Sequence, residues 1–344
     1  MPPHLLSLAT AAPPIVLERD AVAAMARRLF GDGDERLGAV FANSGIERRR
    51  SCVALDWYSR PHGWAERSLL FVDNAVALAA QAARGALDRA GLPARAVDAV
   101  VAVSTTGICT PSLDALVIDR LGLRPDVVRL PVFGLGCAGG ILGLARAAAL
   151  AEAMPGARVL LVVVELCGLT FRPNDPSKSN RVAAALFGDG AAAALLSTAG
   201  TGPVVAAWGE HTWPDTLDVM GWRIEDDGFG VLFSRDIPSL VRDRLRPALD
   251  AWLDRCGLAV AGLDGFICHP GGAKVVTALE QALELPPGRL APEREVLAEY
   301  GNMSAATLPF VLARALARPI RGRHVCLGLG PGFTAGFLLL EIPR

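Results

Sequence analysis

Aromatic side chains are scarce, at 6% of 344 residues. A core with few large rings must be filled by small residues, and 36 glycines and abundant alanine supply them. Helices and strands can then approach closely. Long apolar runs are also missing. The most hydrophobic stretches, Val159 to Val164 and Ala191 to Leu196, fall short of the ~20 residues a membrane helix needs, so no membrane partner is expected. The N-terminus, Met1-Pro2-Pro3-His4-Leu5-Leu6, lacks the basic region and apolar core of a signal peptide, and a cytoplasmic protein is expected. Neither sign of charge dominates: 34 Lys+Arg face 35 Asp+Glu, for a net charge of −1. That removes any global electrostatic case for nucleic acid. The seven cysteines, Cys52, Cys109, Cys137, Cys167, Cys256, Cys268 and Cys326, form no Cys-x-x-Cys pair. Their odd, scattered set suits a reducing compartment and has no metal-site spacing.

What is present is a chain that is 52% hydrophobic and 20% charged, enough for one large α/β domain or two packed halves. Apolar runs at Leu5–Thr10, Val97–Ser104, Val127–Phe133, Arg158–Glu165, Ala191–Ser197, Leu263–Cys268, Arg323–Leu327 and Phe333–Ile342 predict strands. Helical spacing predicts helices between them, including Ser68–Ala90, which stops at Gly91-Leu92-Pro93. Val204–Phe233 reads as irregular strand and loop, and Trp57–Trp64 as a loop. Ser44-Gly45-Ile46-Glu47-Arg48-Arg49-Arg50 reads as a solvated surface patch or as an anchor for the phosphates of a carrier such as coenzyme A.

One stretch organises the rest: Val132-Phe133-Gly134-Leu135-Gly136-Cys137-Ala138-Gly139-Gly140. A buried strand ends there and a small-residue helix begins, with Cys137 at the join. Unpaired amides and the dipole of that helix favour a thiolate, the nucleophilic form. A plain buried thiol fits the same stretch, since free Cys is among the most buried residue types.

The two halves echo each other. Val97-Asp98-Ala99-Val100-Val101 resembles Leu263-Asp264-Gly265-Phe266-Ile267, and Arg158-Val159-Leu160 resembles Arg323-His324-Val325. Gly188-Asp189-Gly190-Ala191 resembles Gly332-Phe333-Thr334-Ala335. The expected division is 1–200, carrying the Cys, and 201–344, carrying His269 and Asn302. On this repeat Cys137 and Asn302 occupy matched helix N-termini, and His269 leaves a matched strand. Together they would form a thiol nucleophile with two hydrogen-bond donors. His269 would hold Cys137 as thiolate and, with Asn302, stabilise a thioester oxyanion. Taken singly, His269 also fits a structural strand end and Asn302 a helix N-cap.

Five ordered motifs carry a family resemblance. Cys137 in Gly-Leu-Gly-Cys-Ala-Gly-Gly, His269 in His-Pro-Gly-Gly and Asn302 in Gly-Asn-Met-Ser resemble the type III polyketide synthases, the chalcone-synthase-like family. Leu186-Phe187-Gly188-Asp189-Gly190 and Gly328-Leu329-Gly330-Pro331-Gly332 are similar to that family's motifs as well. The resemblance implies an α/β, thiolase-like αβαβα fold of five layers, an internal pseudo-duplication and a homodimer. It implies an acyltransferase that loads an acyl-CoA starter on Cys137. His269 and Asn302 would promote decarboxylation of malonyl-CoA, and the enolate would extend the chain. Acyl-CoA and malonyl-CoA are then the partners, and no metal or other cofactor is needed.

By the same resemblance Phe187 is an aromatic gatekeeper. Thr105, Cys167, Val231 and Ser304 shape the cavity, and Thr110 stands where plant members carry a Met that reaches across the dimer. Gly328, Leu329, Gly330, Pro331 and Gly332 form the cyclisation loop. Arg48, Arg49, Gly271, Gly272 and Ala273 are the positions assigned to CoA. Val231 replaces a second gatekeeper Phe, which implies a wider, more aliphatic passage and a fatty-acyl starter, giving an alkylpyrone or alkylresorcinol. The alternatives are a malonyl-CoA-only enzyme of the tetrahydroxynaphthalene type, a ketoacyl carrier-protein synthase III-like condensing enzyme, and a catalytically silent partner subunit.

Overall fold

The computed structural model describes residues 1–31 and 35–343. The first half runs β1 (His4–Ala11), β2 (Ile15–Glu18), α1 (Arg19–Phe30), α2 (Glu35–Ala42), β3 (Arg48–Ser51), α3 (Trp64–Ala90), β4 (Ala99–Val103), α4 (Leu113–Leu121), β5 (Val128–Val132), α5 (Gly139–Ala153), β6 (Val159–Leu166), α6 (Lys178–Leu186) and β7 (Asp189–Ser197). The second half runs β8 (Val204–Thr212), β9 (Met220–Glu225), β10 (Gly228–Phe233), α7 (Ile237–Arg255), β11 (Gly265–Cys268), α8 (Ala273–Ala282), α9 (Ala291–Tyr300), α10 (Thr307–Leu316), β12 (Gly322–Gly330) and β13 (Thr334–Ile342).

The main sheet has the order β11-β12-β13-β8-β1-β7-β6-β4-β5. It is two half-sheets joined where His4 of β1 meets Val204 of β8. Each half-sheet repeats one pattern. β4 and β6 are parallel, then β7 and β1 follow antiparallel; β11 and β12 are parallel, then β13 and β8 follow antiparallel. The strand echoes in the sequence are therefore structural counterparts.

Strand period decides the layering. Val100, Ala102, Leu160, Val162 and Val164 face one core, packed with Ala79, Ala83 and Leu87 of α3. Their neighbours Val101, Val103, Leu161 and Val163 face a second core with Ile141, Leu144, Leu308 and Val311 of α5 and α10. Because both faces are covered, β4, β6 and β7 are buried along their whole length and read as continuous apolar runs. On the far side Leu245, Leu249 and Trp252 of α7 pack on Val325, Leu327 and Phe337. α5 touches strands of both half-sheets, and α10 touches β1, β7 and β11. The result is a thiolase-like stack: helices, sheet, the central α5 and α10, sheet, helices.

Three elements differ from the sequence reading. The arginine run is strand β3, paired antiparallel with β2 so that Arg49 faces β2's Leu17 in register. Lys178–Leu186, a stretch for which the sequence reading named no element, is helix α6, capped by Ser177 Oγ accepting the Asn180 N–H. The irregular region contains the hairpin β9–β10. No helix among the described residues is long and apolar enough to cross a membrane.

Candidate active site

Cys137 lies in a single 3-10 turn, Gly136–Ala138, between β5 and α5. Gly136 has φ +49°, a conformation that glycine adopts without strain. A Cβ there would sit 2.5 Å from the Pro331 ring, so the Gly-Leu-Gly-Pro-Gly segment packs directly under the nucleophile's turn. The Gly136 N–H donates to Thr105 Oγ1 at 3.0 Å.

Asn302 is held by backbone on both sides. Its N–H donates to Leu186 O and its carbonyl accepts the Gly188 N–H, a short parallel bridge alongside Phe187. Its side chain is fixed too: Nδ2 donates to Gly271 O at 3.1 Å, and Oδ1 accepts the Ser304 N–H at 2.8 Å. Cys137 Sγ is 4.0 Å from Asn302 Oδ1. His269 follows β11, and its N–H donates to Leu327 O at 2.7 Å. It is buried, and neither ring nitrogen has a hydrogen-bond partner among the described residues. Cys137, His269 and Asn302 line one cavity of ≈ 40 Å³ with Gly271, Leu327, Gly328 and Leu329. Gly328 is where the strands close in: a Cβ there would meet Ile141, His269 and the Cys137 carbonyl.

Burial works against a thiolate paired with an imidazolium in this resting site. Burial pushes the Cys137 thiol up to about 12, with Ser304 and Asn302 only partly opposing it. Burial pulls His269 down to about 4. Desolvation is the largest influence on both groups and favours the neutral thiol and the neutral imidazole. The imidazole thereby keeps one nitrogen free to accept a proton and one N–H free to donate.

The family models for chalcone and stilbene synthases match 62–203 as the N-terminal domain and 205–343 as the C-terminal domain. The chain belongs to that family. This type III polyketide synthase is 39% identical to the 1,3,6,8-tetrahydroxynaphthalene synthase of Streptomyces peucetius subsp. caesius, over 99% of this chain and 90% of the relative. It is 35% identical to type III polyketide synthase 21 of Oryza sativa subsp. japonica, over 77% of this chain and 71% of that one. The crystal structure of 1,3,6,8-tetrahydroxynaphthalene synthase from Streptomyces coelicolor A3(2) superposes with a TM-score of 0.94 at 28% identity, over 99% of each chain. Members of the family are acyl-transferring condensing enzymes, and this chain is one of them.

The remaining residues expected at the site separate into groups. Phe187, Val231, Ser304 and Pro331 line a second cavity beside Cys137, of ≈ 30 Å³, with Met220, Trp222 and Phe233. Leu329 lines the first. Aromatic side chains stand around Val231 in this passage. Trp222 stands directly opposite Val231 across the hairpin, with its Nε1–H donating to Thr105 O at 2.8 Å. Phe187 meets Trp222 and Phe233 edge-on at 6.0 and 5.7 Å. Neighbouring rings supply the bulk that position 231 lacks. Trp222, Phe233 and Met220 went unread in the sequence because Val231 was the one position of their hairpin that the resemblance assigned.

Thr105 is buried behind the wall, its atoms engaged by Gly136, Glu165 and Trp222. Cys167 lines a separate apolar cavity of ≈ 30 Å³ on the other side of Phe187, with Met25, Phe171 and Ala183. Thr110 is exposed. Gly271 belongs to the catalytic cavity, Gly272 caps α8, and Ala273 donates its N–H to Ser44 O. Arg48 faces solvent, but Arg49 does not, and the expectation that it contacts CoA is corrected. Strand alternation turns it inward, where it is 4% exposed and hydrogen-bonded to protein carbonyls.

Glu165 is a further residue that no motif marked. It is fully buried below the nucleophile's turn, and Oε2 accepts from Thr105 N at 3.0 Å and Thr106 Oγ1 at 2.7 Å. Burial raises its carboxyl to about 7.

Proposed function

We propose that this synthase builds an aromatic polyketide from malonyl-CoA alone, as a tetrahydroxynaphthalene-type enzyme. The observation that carries this reading is the likeness along nearly the whole chain to a 1,3,6,8-tetrahydroxynaphthalene synthase, at 39% identity over 99% of this chain. Phe187, Trp222 and Phe233 wall the small cavities, ≈ 30 and ≈ 40 Å³, that flank Cys137 Sγ. The names of the Streptomyces relatives agree with it.

The chemistry follows from the neutral resting pair. Cys137 sulfur attacks the thioester carbonyl, its proton passes to the open nitrogen of His269, and CoA leaves with that proton. A second malonyl thioester then loses CO2. The electron pair of the broken C–C bond becomes an enolate, whose oxygen accepts hydrogen bonds from His269 and Asn302 Nδ2. The α-carbon attacks the acyl-enzyme carbonyl, and the tetrahedral adduct expels the Cys137 sulfur. Decarboxylation supplies the carbanion, so these residues need no strong base, metal or other cofactor. In this reading 1–200 carries the nucleophile and 201–344 carries its two donors. A second copy of the chain would cover Ile108, Val128 and Phe133, exposed near the ends of β4 and β5.

A fatty-acyl starter, leading to an alkylpyrone or alkylresorcinol, is the second reading. The apolar cavity behind Phe187 and Cys167 favours it. The test is mass spectrometry of products from labelled malonyl-CoA, with and without acyl-CoAs of increasing length. An aromatic product from malonyl-CoA alone is expected. Product formed only when a long acyl-CoA is added overturns the malonyl-only reading and leaves the second.

A further inference from the structure

We propose that Arg49 is a positioning residue that holds the gate Phe187 and the amide of Asn302 in one shared geometry. Its guanidinium ends in a fork of backbone carbonyls. Nη1 donates to Ala184 O at 2.6 Å and to Phe187 O at 3.1 Å, and Nη2 donates to Ala185 O at 2.8 Å. These are carbonyls at the C-terminal end of α6, where a cation also complements the helix dipole. The next residues form the bridge to Asn302: Leu186 O accepts the Asn302 N–H, and the Gly188 N–H donates to Asn302 O. Arg49 thus fastens the segment from which Phe187 projects and against which Asn302 is hydrogen-bonded.

The crossing has no slack. A Cβ on Gly188 would run into Tyr300 O and lie 3.3 Å from the Arg49 Cβ. A Cβ on Gly301 would meet Leu186 O at 2.9 Å and the Arg49 Cβ at 3.5 Å. Arg49 therefore packs against both passing strands of chain as well as bonding to one. Burial lowers its pKa only to about 10, with the charges of Tyr58 and Asp189 opposing, so it stays a cation at neutral pH. Asp189, fully buried, is fixed by the N–H groups of Cys52 and Gly168 at 2.9 and 2.8 Å. A lysine could keep the charge but not the planar fork.

The inference rests on the condensing activity of the family and not on the choice of starter. Its test uses malonyl-CoA decarboxylation, so a different product leaves it intact. Arg49→Lys and Arg49→Met are compared with wild type in CO2 release per folded molecule, in KM, and in iodoacetamide alkylation of Cys137. Ser7→Ala in β1, which removes a buried hydrogen bond to Ala86 O of α3, is the control for destabilisation alone. A displacement of Asn302 by about 1 Å predicts a fall in kcat of roughly 100-fold for Arg49→Met. Arg49→Lys should fall between it and wild type, with KM and Cys137 alkylation within a few-fold of wild type. Arg49→Lys folds if charge is what the buried site requires, and it carries the test should Arg49→Met not fold. Wild-type kcat in Arg49→Lys, or a loss in either variant no larger than in Ser7→Ala at equal thermal destabilisation, overturns the proposal.

Discussion

The two central helices begin in the same way and carry different chemistry. A single 3-10 turn, Gly136–Ala138, precedes α5, and another, Ser304–Ala306, precedes α10. The first residue of each has φ +49°: Gly136 in one, Ser304 in the other. The turns pack on each other, since a Cβ on Gly139 would meet the Ala305 Cβ and one on Gly140 would meet the Ala305 carbonyl. Aligned by their turns, Cys137 is matched by Ala305, not by Asn302. The amide instead precedes its turn, and its Oδ1 accepts the N–H of the strained Ser304. One backbone device is thus used twice. In the first half it presents a side chain, and in the second it is propped up by one. Glycine takes the left-handed position without cost, whereas serine there needs the Asn302 carboxamide as support.

The largest test of this difference is chemical. Cys137→Ala should abolish condensation by at least about 10⁴-fold, because the acyl-enzyme cannot form. Asn302→Ala should lower the rate of CO2 release by about 10²–10³-fold, the usual effect of removing one oxyanion donor. Steady-state product assays and CO2 release measured on the same preparations check both. Equal rates in Asn302→Ala and wild type would leave the amide a purely structural prop.

The next test is conformational. Gly136→Ala should cost about 1–3 kcal/mol from the left-handed backbone, and more where the new methyl meets Pro331. Ser304→Gly should change stability by no more than about 1 kcal/mol, because it relieves the same strain in the other turn. Denaturant unfolding of the two variants reads the asymmetry, and equal destabilisation would deny it.

The last test concerns Glu165, which lies beneath both turns, and its effect vanishes at acid pH. Its carboxyl titrates at about 7 when folded, against an ordinary value of 4.5, because burial disfavours the charge. The folded state therefore holds a proton that the unfolded chain releases. The resulting stability is complete below pH 4.5 and is lost as the pH rises through 7. Glu165→Gln mimics the neutral form. It should match wild type at acid pH and exceed it by up to about 2–3 kcal/mol at pH 8. Thermal melts across that range check the sign, and a constant offset between the two proteins would contradict it.

The sequence alone made some of this legible. β4, β6 and β7 could be read because strands covered on both faces are continuous apolar runs. Cys137, His269 and Asn302 could be read because each ends an apolar element amid glycines that permit close backbone approach. Arg49 was misplaced because an arginine run looks solvated until strand pairing turns alternate side chains inward. Trp222 and Phe233 went unread because a hairpin's contribution to a cavity depends on what lies opposite it.

Local pattern therefore determined the strands, the duplicated order of elements and the identity of the three central side chains, since periodicity and glycine placement are written residue by residue. Charge state, cavity size and the role of Arg49 were decided only in three dimensions. Desolvation, ring packing and carbonyl forks are made by residues far apart in the chain, and no single stretch encodes the neighbours it will meet.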